Sequence, residues 1–198
     1  MALGGVWLTT ERLALRRFAV ADLDFLVDFY SDPDVARHLG GVRDRAKTEE
    51  LLQTRILRYY EEHPGLGIWL TVERATGHPL GFHLLNHIQG ETIVQVGYGL
   101  IKAAWGQGYA TEMAAAVLRY GFQERGLPRV CGMTTLGNTA SQRVLEKIGL
   151  RRRGERAFPH AAYASEGPMA WFELDAADWR HLMARNTPHS GRAETHRS

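Results

Sequence analysis

The stretch Trp105-Gly106-Gln107-Gly108-Tyr109-Ala110-Thr111 decides the fold. It is a glycine-rich turn that runs straight into a helical pattern from about Tyr109 to Arg125, with Met113, Ala116, Val117, Tyr120 and Phe122 as its apolar positions. Gly126-Leu127-Pro128 stops that helix, and Val130–Thr135 follows as a strand. A strand, Thr92–Ile101, also precedes the turn. Strand, helix and strand in that order imply a parallel crossover. Outward toward the N-terminus, Ile68–Glu73, Leu80–Asn86 and Thr92–Ile101 are joined by short turns and read as an antiparallel meander. Before them, Trp7–Phe18 reads as one strand. Asp22 is expected to cap a helix carrying Leu23, Leu26, Val27 and Tyr30, and Thr48–Glu62 is a second helix. Toward the C-terminus, Asn138–Ile148 is a short helix closed by Gly149. Leu150–Arg156 and Met169–Leu174 are two last strands, and Asp175–Ala184 a final helical turn or two. The expected fold class is mixed α/β (α+β): a mostly antiparallel sheet of six to seven strands, a central parallel crossover, and helices on both faces.

The chain has 198 residues, enough for one domain with a proper core. Residues 1–185 are assigned to that domain and 186–198 to a polar tail. The formal net charge of +2 calls for neither nucleic acid nor an anionic membrane. No apolar run approaches the roughly 18 residues of a membrane span, and the first residues do not read as a signal peptide. The one cysteine, Cys131, excludes an internal disulfide and sits in an apolar run, where a buried hydrophobe is expected rather than a nucleophile. A cytoplasmic protein, monomer or homodimer, without a metal, is the expectation.

Small residues at 106, 108 and 110 let a backbone approach a ligand, and the helix start supplies free amides and a favourable dipole for an anion. A diphosphate held by main-chain N–H groups fits; so does a turn that only lets helix and strand pack. No Lys follows the glycines, against a nucleoside-triphosphate loop. Thr111 replaces the third glycine of a dinucleotide fingerprint, and the strand VCGMTT ends without a ribose-binding acid. Asn138 lies just past that strand, so a parallel crossover opens it to the same sheet edge as the glycine turn. It shares a helix face with Ser141. The pair offers an amide and a hydroxyl to a ligand, or an N-cap and a surface filler.

The segments LTTERLALRRF, GYGL…WGQGYATE and NTASQRVLEKIGL, followed by Asp178-Trp179, come in the order found in the GNAT superfamily of N-acetyltransferases. Over roughly residues 7–180 the chain resembles the group that acetylates ribosomal-protein N-termini. The resemblance implies that acetyl-CoA lies between Thr92–Ile101 and Val130–Thr135, splayed apart. It gives Tyr98, Gly99 and Leu100 main-chain contacts to the pantetheine arm and the acetyl carbonyl. It gives Gly106, Gln107, Gly108, Tyr109, Ala110 and Thr111 the diphosphate, and Asn138 the pantetheine side. Two departures stand out. Trp105 replaces the usual Gln or Arg, as is common in the narrower group. Leu145 replaces the Tyr that many relatives use as an acid, leaving Ser141 as the candidate acid.

The expected reaction is direct attack of a neutral amine on the thioester, by positioning, with a main-chain amide near Leu100 stabilising the oxyanion. The acceptor is an amine on a protein N-terminus or a small molecule, in a groove built from the first two helices and the 157–168 loop. No base is identified. His83 is a candidate against the default of a packed histidine, His87 lies nearby, and Glu91 is expected to be solvated. Arg151, Arg152 and Arg153 read as a solvated strand face. A non-catalytic CoA-binding module is the alternative function.

Overall fold

The computed structural model describes residues 5–160, 163 and 167–186. Eight strands form one sheet in the order β1-β2-β3-β4-β5-β6-β8-β7. They are β1 (Val6–Thr9), β2 (Leu13–Arg17), β3 (Gly67–Glu73), β4 (Pro79–His87), β5 (Val94–Leu100), β6 (Arg129–Thr135), β7 (Arg151–Arg156) and β8 (Met169–Asp175). Only β5 and β6 run parallel. The helices are α1 (Leu23–Ser31), α2 (Pro33–Ala36), α3 (Arg45–Glu50), a π-helical stretch (Leu51–Leu57), α4 (Arg58–Glu62), α5 (Tyr109–Gln123), α6 (Thr139–Lys147) and α7 (Ala176–Asn186).

The eighth strand comes from Trp7–Phe18, which is a hairpin and not one strand. Thr10 N–H and Oγ1 both bond the Leu13 carbonyl. The Arg12 N–H is spent on the Glu112 carboxylate at 3.0 Å, which takes it out of any ladder. Asp22 also departs from expectation. It makes no side-chain cap. Its carboxylate holds the Arg16 guanidinium at 2.7 and 2.8 Å and the Ala19 N–H. The second helix begins earlier than Thr48, because Asp44 caps it through the Lys47 N–H. α7 runs through Asn186. The rest of the expected tail lies outside the described residues.

Alternation along β4 shows the layering. Phe82 packs edge-on against Phe29 of α1. Its neighbour His83, and Leu85 two residues on, face α5 through Ala110 and Gly121. Successive side chains point to opposite faces, so helices cover both. The core takes in Leu13, Leu15, Leu26, Leu70, Met113, Val117 and Phe172, all essentially inaccessible. Trp69, Trp171 and Trp179 are buried. So is Cys131, whose thiol burial pushes up to about 12.

Candidate active site

The central feature is a gap in the sheet. β5 pairs with β4 along its whole length, from His87↔Val94 to Gly81↔Leu100. With β6 it keeps one paired position, Gln95↔Cys131. Beyond that point the two parallel strands diverge toward their C-terminal ends. A cavity of about 240 Å³ fills the divergence. Ligands of open α/β sheets favour this location. Gly99 helps keep β5 in place, since a Cβ there would sit 2.9 Å from the Phe82 ring and 3.0 Å from Phe29.

The cavity has two walls. On one side stand Asn138, Ser141 and Leu145, on or at the start of α6. On the other stand His38, Leu39, Gly40 and Arg43 from the segment between α2 and α3. Tyr98 joins β5 to the α6 wall. Its hydroxyl lies 2.9 Å from the Ser141 carbonyl oxygen and 3.1 Å from Ser141 Oγ. Burial raises the Tyr98 phenol well above its ordinary value, with the Ser141 hydrogen bond acting the other way. The phenol is therefore a proton-bearing donor. Asn138 is the N-cap of α6: its Oδ1 accepts from the Ser141 N–H at 3.1 Å.

The glycine turn lies at the same sheet edge. Gly106 and Gly108 have φ of 75° and 81°, left-handed values that favour glycine. Space is not the constraint. A Cβ on Gly106 meets nothing within 4 Å, and one on Gly108 meets only Arg12 Nη2 at 3.5 Å. The Gln107 side chain braces the turn by donating to the Ala103 carbonyl. The first bond back into α5 is Glu112 N–H to the Gly108 carbonyl, so the amides before it have no partner one turn back. The turn thus presents main-chain amides at a helix start, where an anion is favoured. Glu112 sits close by. Its burial works against the charged form, but hydrogen bonds from Thr10 and Arg12 leave its carboxyl below the ordinary range. Its charge is matched by Arg12 at 2.7 Å.

Three expected residues meet here: Tyr98, Asn138 and Ser141 share the cavity, whereas Gly106 through Thr111, at the turn and the start of α5, are not among its lining residues. Gly99 and Leu100 do not line the cavity. The Leu100 carbonyl accepts from the Trp105 indole at 2.7 Å, and the Tyr109 side chain is buried, leaving its backbone as the group on offer. The candidate bases fall away. His83 is fully buried between Thr71 Oγ1 at 2.7 Å and the Ala110 carbonyl at 3.4 Å, and burial pushes it down to about 3. His87 is held by Tyr59 at 2.7 Å and lies outside the cavity. Glu91 is not solvated: it is largely covered and paired to Arg156 at 2.8 Å. The three arginines of β7 are exposed, as read, and pair loosely with Asp178, Glu155 and Glu173. Sequence reasoning missed His38, whose Nδ1 lies 2.7 Å from Thr135 Oγ1. It also missed Arg43. Gly40-Gly41 marks a loop there, but nothing local ties that loop to β6. Part of the 157–168 loop lies outside the described residues.

The family model for the acetyltransferase (GNAT) domain matches residues 12–151. The chain belongs to the GNAT acetyltransferases. It is an acetyl-CoA-dependent N-acetyltransferase, and the non-catalytic alternative is set aside. Two Bacillus subtilis proteins are similar over most of their length. YkkB, described as uncharacterized, is 34% identical over 146 residues, 72% of this chain and 84% of its own. YoaA, an uncharacterized N-acetyltransferase, is 31% identical over 153 residues, 74% and 84% respectively. The ribosomal-protein acetyltransferase RimL, solved in complex with coenzyme A, superposes with a TM-score of 0.71 over 86% of this chain and 97% of that one. At 15% identity that likeness is one of fold.

Proposed function

We propose that this GNAT enzyme acetylates an amine, on a protein N-terminus or a small molecule, by direct attack within a ternary complex. The observation that carries the reading is the cavity running between two walls where β5 and β6 part. Acetyl-CoA supplies an activated acetyl group as a thioester. Gly106, Gln107, Gly108, Tyr109, Ala110 and Thr111 hold its diphosphate through backbone amides. Tyr98 of β5 and Asn138 of α6 flank the pantetheine arm. Asn138 keeps its Nδ2 for that purpose, since the cap uses Oδ1.

Ser141 hydrogen-bonds the departing sulfur while Tyr98 holds it in place. His38 accepts the proton of the incoming amine. It is the one imidazole among the described residues lining the cavity. Thr135 fixes its ring. The reading is of one catalytic domain through residue 185, in the cytoplasm, as monomer or homodimer. Among the described residues no helix is long and apolar enough to cross a membrane.

The test has two steps. Acetyl-CoA at saturation raises the melting temperature, and no shift would sink the reading. A screen of peptide N-termini, amino acids, polyamines and aminoglycosides then reads thiol release. In that screen His38→Gln lowers kcat/KM by about a hundredfold, in the range of a lost general base.

A further inference from the structure

The wall opposite α6 carries a cation that the chemistry above does not use. Arg43 is half-buried and lines the cavity. Its guanidinium lies 5.0 Å over the Tyr30 ring, and its Nη2 donates to the Leu39 carbonyl at 3.2 Å. Its Nε–H is buried and has no hydrogen-bond partner. Among the described residues no carboxylate reaches ion-pair distance of Arg43, and no described residue lining the cavity is Asp or Glu. Other arginines that shed water here are matched: Arg16 by Asp22, Arg156 by Glu91. Withdrawing a guanidinium from water without a counter-charge is costly, and a buried unpaired donor calls for an explanation. The aromatic face of Tyr30 compensates only in part.

The geometry points to a carboxylate on the acceptor: Arg43 binds an acid group that the amine carries a few bonds from its nitrogen. This rests on the cavity being the acetyl-transfer site. Tyr98 and Ser141 place the thioester at the α6 wall, which leaves the Arg43 wall to the acceptor. A guanidinium offers a carboxylate a planar fork of donors and discriminates by charge. Polyamines and aminoglycosides would bring more positive charge into a cavity that holds a cation and, among its described residues, no acid. The carboxylate belongs either to a free amino acid or to an acidic side chain beside a peptide N-terminus.

Matched acceptors test this by thiol release from acetyl-CoA. One arm pairs free amino acids with their α-amides. The other pairs peptides beginning Ser-Glu with peptides beginning Ser-Gln. Spermidine serves as the cationic comparison. The native enzyme prefers the acid of at least one pair, and the arm that responds identifies the source. In Arg43→Gln that acid-to-amide ratio of kcat/KM falls roughly tenfold to a hundredfold, while Arg43→Lys keeps part of it. Intrinsic amine reactivity differs within a pair but cancels when the ratio is compared between the native enzyme and the variant. An unchanged ratio overturns the proposal. So does transfer confined to carboxylate-free amines, or no transfer to any member by a protein that binds acetyl-CoA. Loss of acetyl-CoA binding by the native chain is a different failure and removes the underlying reading. The acetyl-CoA melting shift of each variant certifies that it is folded.

Discussion

Ser141 and Tyr98 share a hydrogen bond, and the part the proposed reaction gives them follows from their acidities. An ordinary thiol titrates near about 8.5, and burial holds the Tyr98 phenol far above that. Neither hydroxyl gives its proton outright to a thiolate. Each can stabilise the developing charge through a hydrogen bond, worth about 1.5–3 kcal/mol to a charged group. Ser141→Ala therefore lowers kcat by about tenfold to a hundredfold and moves the KM for acetyl-CoA little. Unchanged turnover would remove Ser141 from the chemistry. Tyr98→Phe produces a similar fall, because Ser141 Oγ loses its anchor. At this scale the sequence was informative where a residue's partner lies a few positions away, as Asn138 and Ser141 show. It was silent on His38 and Thr135, which are 97 positions apart and meet only because β6 lies beside the α2–α3 loop. His83 misled for a related reason. A histidine on a strand looks the same whether it faces a ligand or the underside of α5.

The join between β5 and α5 was legible because its signals are local. Positive φ demands glycine, a helix start leaves amides free, and strand–helix–strand fixes handedness. Gly108 sets up a sharp comparison. Gly108→Ala places a Cβ 3.5 Å from Arg12 Nη2, an ordinary contact, so its cost is the left-handed backbone, about 1–2 kcal/mol. Differential scanning fluorimetry shows a lower melting temperature and a retained acetyl-CoA shift. Gly108→Glu adds a carboxylate at the proposed diphosphate site and loses the shift. A folded Gly108→Glu that still responds to acetyl-CoA would mean the cradle is elsewhere. The β1–β2 hairpin was illegible by contrast. Its turn, Thr10-Glu11-Arg12, has no glycine or proline. Bonds between Thr10 and Leu13 close it, and the bond from Arg12 to Glu112, 100 residues away, takes the Arg12 amide out of the ladder.

For the molecule as a whole, His83 makes stability depend on pH. Folded, it stays neutral down to about 3; unfolded, an imidazole takes up its proton near about 6.5. Between those values the unfolded chain binds more protons, so stability rises with pH and is lost as pH falls. The full contribution is present above about 6.5, and the slope reaches at most about 1.4 kcal/mol per pH unit for one proton. Urea midpoints between pH 4 and 7.5 show this limb. His83→Leu is less stable at neutral pH, since Thr71 loses its partner, but its limb is flatter. An equal slope in both chains would assign the acid sensitivity to other groups.

The gap between β5 and β6 also divides the chain's cooperativity. One backbone pairing joins β1–β5 to β6–β8. Other ties cross through side chains, such as Arg156 to Glu91 at 2.8 Å, His38 to Thr135 at 2.7 Å and the stack of Phe122 on Trp179 at 5.2 Å. Units joined by so few backbone bonds open independently of global unfolding. The few backbone bonds there favour a subglobal opening along the seam. A ligand spanning both sides fastens the two halves together, and amide protons on β6 and β8 then exchange more slowly than on the empty enzyme, although the ligand touches only a few of them.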